Sequence, residues 1–89
     1  MVRVAFTANL RRHLDVPTVE VMGETVHAAL AAVFAQNPSL RGYILDDQGA
    51  LRRHVSIFVG GEQIRDRERQ SDALSDGAEL YIMQALSGG

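Results

Sequence analysis

Apolar and polar residues alternate in five segments of the chain, which is the pattern of half-buried β-strands. The first segment sets Val2, Val4 and Phe6 against polar or small neighbours, and the third sets Val55, Ile57 and Val59 against Ser56 and Phe58. Gly60-Gly61 directly after the third segment predicts a tight hairpin, because glycine adopts positive φ angles at no steric cost. The five predicted strands begin near Val2, Thr18, Val55, Glu62 and Leu80.

One segment has the longer apolar spacing of a helix. Val26, Leu30, Val33 and Phe34 recur along one face, with alanines between them. Thr25 predicts the start of this helix, because a threonine hydroxyl accepts a hydrogen bond from a free amide of the first turn. The helix is predicted to stop near Asn37-Pro38, because residues before proline are biased away from helical geometry.

The remaining segments predict connections. Gly42–Leu45 is interpreted as a short strand and Asp46–Gly49 as a turn. Arg65–Gln70 is predicted to be a charged loop, and Ser71–Leu74 a single helical turn anchored by Leu74. Two further turns are expected at Asn9–Asp15 and at Asp76-Gly77.

The resulting order is strand, strand, helix, strand, short hairpin, strand. A single helix must cover one face of the sheet to bury its apolar stripe. This is an α+β layout that resembles the β-grasp fold of ubiquitin, with a mixed sheet covered by one main helix. We expect one domain over residues 1–89 with a flexible carboxyl-terminal tail from about residue 84 to residue 89.

The composition argues against a nucleic-acid-binding protein and against a membrane protein. The chain has 46% hydrophobic and 22% charged residues and a net charge of −2, without the dense basic patch that nucleic-acid binding requires. No apolar run is long enough for a membrane span, and the first residues lack the layout of a signal peptide. A cytoplasmic protein with no nucleic-acid or membrane partner is expected.

Cysteine and lysine, the residue types with the most nucleophilic side chains, are missing. The chain has no cysteine, which excludes disulfides, cysteine-ligated metal and a thiol nucleophile of its own. It has no lysine either, since all nine basic residues are arginine. No side-chain amine of this chain can therefore attack an activated carboxyl group.

The other polar residues do not predict an active site. His13, His27 and His54 are far apart and lack a metal-ligand spacing, so structural or solvated roles are expected and no metal is predicted. The adjacent carboxylates Asp46 and Asp47 fit a solvated turn. The sequence therefore predicts a protein that is not an enzyme by itself and binds no cofactor.

The distinctive chemical group is the α-carboxylate at the end of Ser87-Gly88-Gly89. Two glycines can pass through a narrow slot because they carry no Cβ. A carboxylate is a poor electrophile, but a partner enzyme that adenylates it with ATP makes it reactive. A sulfur donor then gives a thiocarboxylate, whereas an amine gives an amide.

An apolar surface is predicted beside this tail. Since Leu80 and Ile82 point inward, Tyr81 and Met83 point to the opposite face of the sheet, and Phe58 has the same parity on its own strand. With Leu86 these residues form a candidate docking patch. The alternative is that the segment from Leu40 to Arg53 covers part of it.

The chain resembles the ubiquitin-like sulfur-carrier family of MoaD and ThiS, including CysO-type carriers. The resemblance is carried by the hairpin segment His54–Arg65, the turn Ser75–Gly77, the strand Glu79–Met83 and the tail Ala85–Gly89. The long Leu45–His54 segment favours a CysO-type or related MoaD-like protein. Many members have proline just before the tail, where this chain has Gln84.

The resemblance implies a set of roles. Gly89 is expected to be the residue adenylated and sulfurated by an E1-like enzyme that uses ATP, with Gly88 and Ser87 as the slender neck of the tail. Phe58 and Met83 map onto the family's docking face. The sulfur acceptor stays open between a cysteine-synthase-like enzyme, a molybdopterin-synthase large subunit and tRNA thiolation. Conjugation of Gly89 to lysines of other proteins, and a plain interaction domain, are the alternatives.

Overall fold

Five strands and two helices follow one another in the structure, a computed structural model that describes residues 1–6 and 18–84. The predicted turn at Asn9–Asp15 and His13 lie outside these residues. In chain order the elements are β1 (Val2–Phe6), β2 (Val19–Val21), α1 (Val26–Gln36), α2 (Leu40–Ile44), β3 (Val55–Val59), β4 (Glu62–Gln63) and β5 (Glu79–Gln84).

The strands form one mixed sheet in the order β2-β1-β5-β3-β4. Strands β1 and β5 run parallel, and the other neighbours are antiparallel. The last strand along the chain is therefore the central strand of the sheet. This arrangement confirms the predicted mixed sheet and β-grasp layout.

Helix α1 packs its apolar face on one side of this sheet. Thr25 is its N-cap, since the Thr25 hydroxyl accepts a hydrogen bond from the Ala28 N–H at 3.1 Å. The helix ends at Gln36, and the Asn37 N–H donates to the Val33 carbonyl. Both predicted ends of the helix are confirmed. The core under α1 consists mainly of Val2, Val4, Phe6, Val26, Leu30, Val33, Val55, Ile57, Leu80 and Ile82.

The hairpin predicted at Gly60-Gly61 is confirmed. Both glycines have positive φ angles, +57° and +89°, as a two-residue hairpin of this type requires. The register places Phe58 opposite Gln63 and Val59 opposite Glu62. The Ile64 N–H continues the ladder to the Ile57 carbonyl at 3.0 Å.

The predicted strand at Gly42–Leu45 is wrong, because this region is occupied by α2. Leu40 and Ile44 are buried on one side of the short helix, while Gly42 and Tyr43 are exposed. The separation of four residues between Leu40 and Ile44 is a helical spacing. Leu45 then pairs with Leu51 across the turn that begins at Asp46.

The predicted helical turn at Ser71–Leu74 is also wrong. This segment is extended and pairs with the residues before and at the start of α1, where the Val26 N–H donates to the Asp72 carbonyl and the Leu74 N–H to the Glu24 carbonyl. The backbone groups of Ser71–Leu74 form hydrogen bonds with residues before and at the start of α1. A local helix at Ser71–Leu74 would break these bonds and leave backbone N–H groups of α1 without partners. Leu74 nevertheless packs against the core as predicted.

Two other predictions concern the carboxyl-terminal tail and the absence of a membrane span. Strand β5 extends to Gln84, and residues 85–89 lie outside the described part, so the single domain with a tail from about residue 84 stays a prediction. Within residues 1–6 and 18–84, no helix has the length and apolar character needed to cross a membrane.

Candidate functional site

The face of the sheet opposite α1, termed here the open face, carries the predicted docking residues. Tyr81 and Met83 on β5 are 44% and 37% exposed, and Phe58 on β3 is half-buried. Their neighbours Leu80 and Ile82 are almost fully buried. The predicted inward and outward alternation of β5 is confirmed.

The sheet register brings the aromatic residues together. Tyr81 lies between Phe58 on β3 and Ala5 on β1, and Met83 lies opposite Ser56. Directly opposed residues on neighbouring strands have their Cβ atoms about 4.5–5.5 Å apart, so the two aromatic side chains are immediate neighbours. The small Ala5 beside them leaves Tyr81 open on the β1 side.

These residues line a groove of about 620 Å³ on the open face. Its walls come from β1, β3, β5 and the glycine hairpin, and α2 and the turn after it do not contribute to the lining. The alternative that the Leu40–Arg53 segment covers the patch is therefore not supported, and its leucine and isoleucine residues belong to the core instead. The groove is lined by Arg3, Ala5, Thr18, Phe58, Gly60, Gly61, Glu79, Leu80, Tyr81 and Met83.

The tail follows directly from this groove. Strand β5 passes along the groove floor and ends at Gln84, one residue before the tail segment begins. The predicted sites Leu86, Ser87, Gly88 and Gly89 lie outside the described residues. The open face therefore lies immediately before the predicted site of modification along the chain.

The residues that suggested other chemistry have structural or solvated positions. His27 is exposed on α1 and His54 is half-buried. The Asp46 carboxylate accepts hydrogen bonds from the Gln48 and Ala50 N–H groups and so closes the predicted turn. Within the described part of the chain, no three His, Asp or Glu side chains come close enough to hold a metal ion.

The loop predicted at Arg65–Gln70 is present beside β4, but its hydrogen bonds were not predicted from the sequence. Hydrogen bonds from the Ser71 hydroxyl and then from the Arg69 N–H hold the pKa of the Asp66 carboxyl below its usual range. The Arg65 and Asp66 N–H groups do the same for the pKa of Asp72. The sequence signal for these hydrogen bonds was the pair Asp66 and Asp72, because aspartate side chains accept hydrogen bonds from backbone N–H groups of their own loop.

The same loop holds the Leu45–His54 segment against β3. The Arg67 guanidinium donates to the Arg52 and Val55 carbonyls at 2.8 and 2.7 Å, and the fully buried Gln70 amide donates to the Gly49 and Arg67 carbonyls. Arg67 thereby occupies the β3 edge beyond the short β4. This loop therefore has a structural role on the side of the sheet that carries β4.

A sequence model of the ThiS family matches residues 4–89, which is nearly the whole chain. The chain belongs to the ThiS family. The match includes β5, the groove residues from Ala5 onward and the residues up to Gly89.

Similar proteins agree with this membership of the ThiS family. The sulfur carrier protein CysO of Mycobacterium tuberculosis (strain ATCC 25618 / H37Rv) is 29% identical over 91 residues, covering 99% of this chain and 98% of CysO. A chain of the Amycolatopsis orientalis BexX/CysO complex is 26% identical with a TM-score of 0.84, and each chain is covered completely. Small archaeal modifier protein 1 from Methanosarcina acetivorans is 30% identical with a TM-score of 0.80, covering 99% of this chain and 95% of that protein.

These relatives confirm two predictions. The ubiquitin-like β-grasp fold is shared by the similar structures over the full chain. The curated relatives in the ThiS family are carriers and not enzymes, as predicted for this chain.

Proposed function

We propose that this protein is a sulfur carrier whose Gly89 carboxylate is activated by an E1-like enzyme and converted to a thiocarboxylate. The observation that carries the proposal is the ThiS-family match, which extends from residue 4 through residue 89. The similarity to CysO sulfur carriers along almost the whole length of both proteins supports it.

The proposed chemistry proceeds in two substitutions. The Gly89 carboxylate attacks the α-phosphorus of ATP in the partner enzyme, forming an acyl-adenylate and releasing pyrophosphate. A sulfide equivalent then attacks the acyl carbon, so that a carbon–sulfur bond forms and the bond to AMP breaks. The chain itself needs no bound cofactor, because ATP is held by the activating enzyme.

The groove on the open face supports docking of that enzyme. Tyr81, Met83 and Phe58 offer an apolar area at the end of the strand that leads into the tail. Aromatic residues and methionine are enriched in protein interfaces. An enzyme that covers this groove holds the tail at a fixed distance from its nucleotide.

The acceptor we favour is an enzyme of cysteine biosynthesis, because the curated relatives are CysO carriers. A cysteine-synthase-like protein would then receive the sulfur from the thiocarboxylate. Donation to a molybdopterin-synthase large subunit is the competing assignment. We place the reaction in the cytoplasm, where ATP and such synthases are present.

The test is the intact mass of the chain after incubation with ATP, a sulfide source and the E1-like enzyme of the source organism. We expect a mass gain of one oxygen-to-sulfur exchange, absent when Gly89 is deleted. A Gly42→Ala chain is the matched control, because an added Cβ at Gly42 meets no other atom. A Gly89-deleted chain that still gains the mass contradicts the proposal.

A second candidate function is protein modification through Gly89. It is favoured by the 30% identity to small archaeal modifier protein 1 from Methanosarcina acetivorans. Immunoblots of native extract distinguish the two functions. A ladder of heavier species that disappears in a Gly89-deleted strain supports conjugation, and a single free band supports the carrier alone.

A further inference from the structure

Three charged side chains form a row across the open face. Arg3 on β1 lies directly between Glu20 on β2 and Glu79 on β5 in the sheet register. All three are exposed, and their sheet neighbours Val2, Val4, Val21 and Leu80 are buried on the other face. The row therefore reads carboxylate, guanidinium, carboxylate across three adjacent strands.

The charges of this row are available to a partner. Among the residues that the structure describes, neither Glu20 nor Glu79 forms an ion pair with Arg3. Neighbouring strands lie about 4.8 Å apart, so the two carboxylates stand on strands separated by about 10 Å. A partner surface with the opposite charges in the same positions, basic, acidic and basic, matches this spacing.

The charged row is continuous with the apolar part of the groove. Arg3 and Glu79 line the same groove as Tyr81 and Phe58. Along β5, Glu79 comes two residues before Tyr81, a separation of about 7 Å in a strand. The groove thus has a charged end, an apolar middle and an end that leads into the tail.

The apolar middle and the charged end of the groove contribute differently to an interface. Burial of the apolar middle contributes affinity but is not directional. Alternating charges favour one orientation, because a shifted or rotated partner brings like charges together. Orientation matters here, because a partner seated the wrong way round cannot receive Gly89.

We propose that the E1-like activating enzyme recognises the row Glu20–Arg3–Glu79 through a complementary row of two basic groups flanking a carboxylate, and that this contact fixes the direction in which the tail is presented. The inference rests on the proposed function, since it names the recognition chemistry of the same docking face. It assigns specificity to three residues that neither the apolar pattern nor the tail indicated.

The test exchanges two charges without changing their sum. The double variant Arg3→Glu/Glu79→Arg keeps the net charge and keeps opposite charges at the facing positions of β1 and β5, but it changes the row that the partner meets from acidic, basic, acidic to acidic, acidic, basic. We expect the kcat/KM of activation by the E1-like enzyme to fall about tenfold at low ionic strength, mainly through slower association. We also expect the defect to shrink as salt approaches 0.5 M, because exposed charges are screened.

Glu68→Arg is the control, because Glu68 is exposed in the loop beside β4, away from the groove. It changes the net charge by two units, so a larger effect of Glu68→Arg than of the exchanged pair would mean that only total charge matters and would overturn the inference. Equal kcat/KM for the exchanged pair and the wild type would overturn it too. If the exchanged chain does not fold, Glu20→Gln/Glu79→Gln replaces it, with an expected loss of about threefold.

The inference and the proposed function fail in different ways. Absence of the mass gain in the wild-type chain counts against the proposed function. A normal mass gain in the wild type together with an unimpaired exchanged pair counts against the charged row alone. If no sulfur is transferred, calorimetry can instead compare the affinities of the wild-type chain and the exchanged pair for the enzyme.

Discussion

Gly23, between β2 and α1, is a position at which the fold leaves no room for a side chain. A Cβ added at this position would lie 2.7 Å from the Ala29 backbone nitrogen. That atom belongs to α1 and cannot move without moving the helix. The absence of a side chain at Gly23 therefore sets how closely α1 approaches the end of β2.

We expect Gly23→Ala to lower the free energy of unfolding by about 1–3 kcal/mol, the usual cost of forcing extra atoms into a packed region. Gly42→Ala is the matched control, because it lies in α2 with open space around it. Alanine there should raise stability by about 0.5–1 kcal/mol through helix propensity. Urea unfolding of both variants measures the difference, and equal stabilities would contradict this account of Gly23.

Two tyrosines with nearly the same exposure separate docking from general surface effects. Tyr81 is 44% exposed in the groove, and Tyr43 is 43% exposed on α2. We expect Tyr81→Ala to raise the KM for activation about fivefold to tenfold, as loss of an aromatic interface anchor does, and Tyr43→Ala to leave it unchanged. Enzyme kinetics with each variant as substrate tests this, and similar KM values for the two variants would mean that the groove is not the docking site.

At the scale of elements, the loop from Arg65 to Asp72 depends on its carboxylates. Asp72 accepts hydrogen bonds from two backbone N–H groups, which lowers its pKa in the folded protein. A carboxyl group with a lowered folded pKa stabilises the fold at pH values above its unfolded pKa. This stabilisation is lost as the pH falls through about 3.9 toward the folded pKa.

We therefore expect Asp72→Asn to reduce the free energy of unfolding at pH 7 and to reduce it progressively less as the pH falls from 5 to 3. Asparagine keeps one acceptor oxygen but carries no charge. Asp47→Asn, which removes an exposed carboxylate on the turn after α2, is the control and should leave the free energy of unfolding at pH 7 nearly unchanged. Denaturant unfolding at several pH values measures both, and a difference between wild type and Asp72→Asn that grows toward low pH would contradict the prediction.

The elements that were predictable from the sequence are those in which local pattern and tertiary packing agree. The strands β1, β3 and β5 and the helix α1 show their periods directly, and Thr25 and Gly60-Gly61 mark their ends. The open face followed from the same alternation. These features depend on residues close together in the sequence.

The strand predicted at Gly42–Leu45 overlooked the local helical spacing of Leu40 and Ile44, but the other misses occurred where distant residues determine the local structure. Ser71–Leu74 is extended because its backbone groups pair with residues 24–26, a partner that no local pattern indicates. Gln70 is fully buried at a φ of +54°, with its side chain donating to Gly49. The charged row across β2, β1 and β5 was likewise missed, because it exists only after the strands have been placed in register.

In the whole molecule, the core and the proposed chemistry occupy different regions. Helix α1 and one face of the sheet form the core, whereas the groove and the strand leading to the tail occupy the other face. Among the described residues, none that we assign to docking belongs to the core, although the core residue Leu80 also lines the groove. Substitutions of the exposed groove residues should therefore change partner recognition with little loss of stability, which is what makes the kinetic comparisons above interpretable.

The absence of cysteine gives a final prediction for the whole chain. A thiocarboxylate on Gly89 would be the most reactive sulfur nucleophile in the molecule, since the chain contains methionine thioethers but no thiol. Brief treatment with iodoacetamide at neutral pH should therefore add one more alkyl group to the sulfurated chain than to the untreated chain, as measured by intact mass. Equal alkylation of the two chains would contradict the assignment. The labelled fraction would then report how much carrier is charged, and its decay on adding a cysteine-synthase-like enzyme with its substrate would measure the transfer itself.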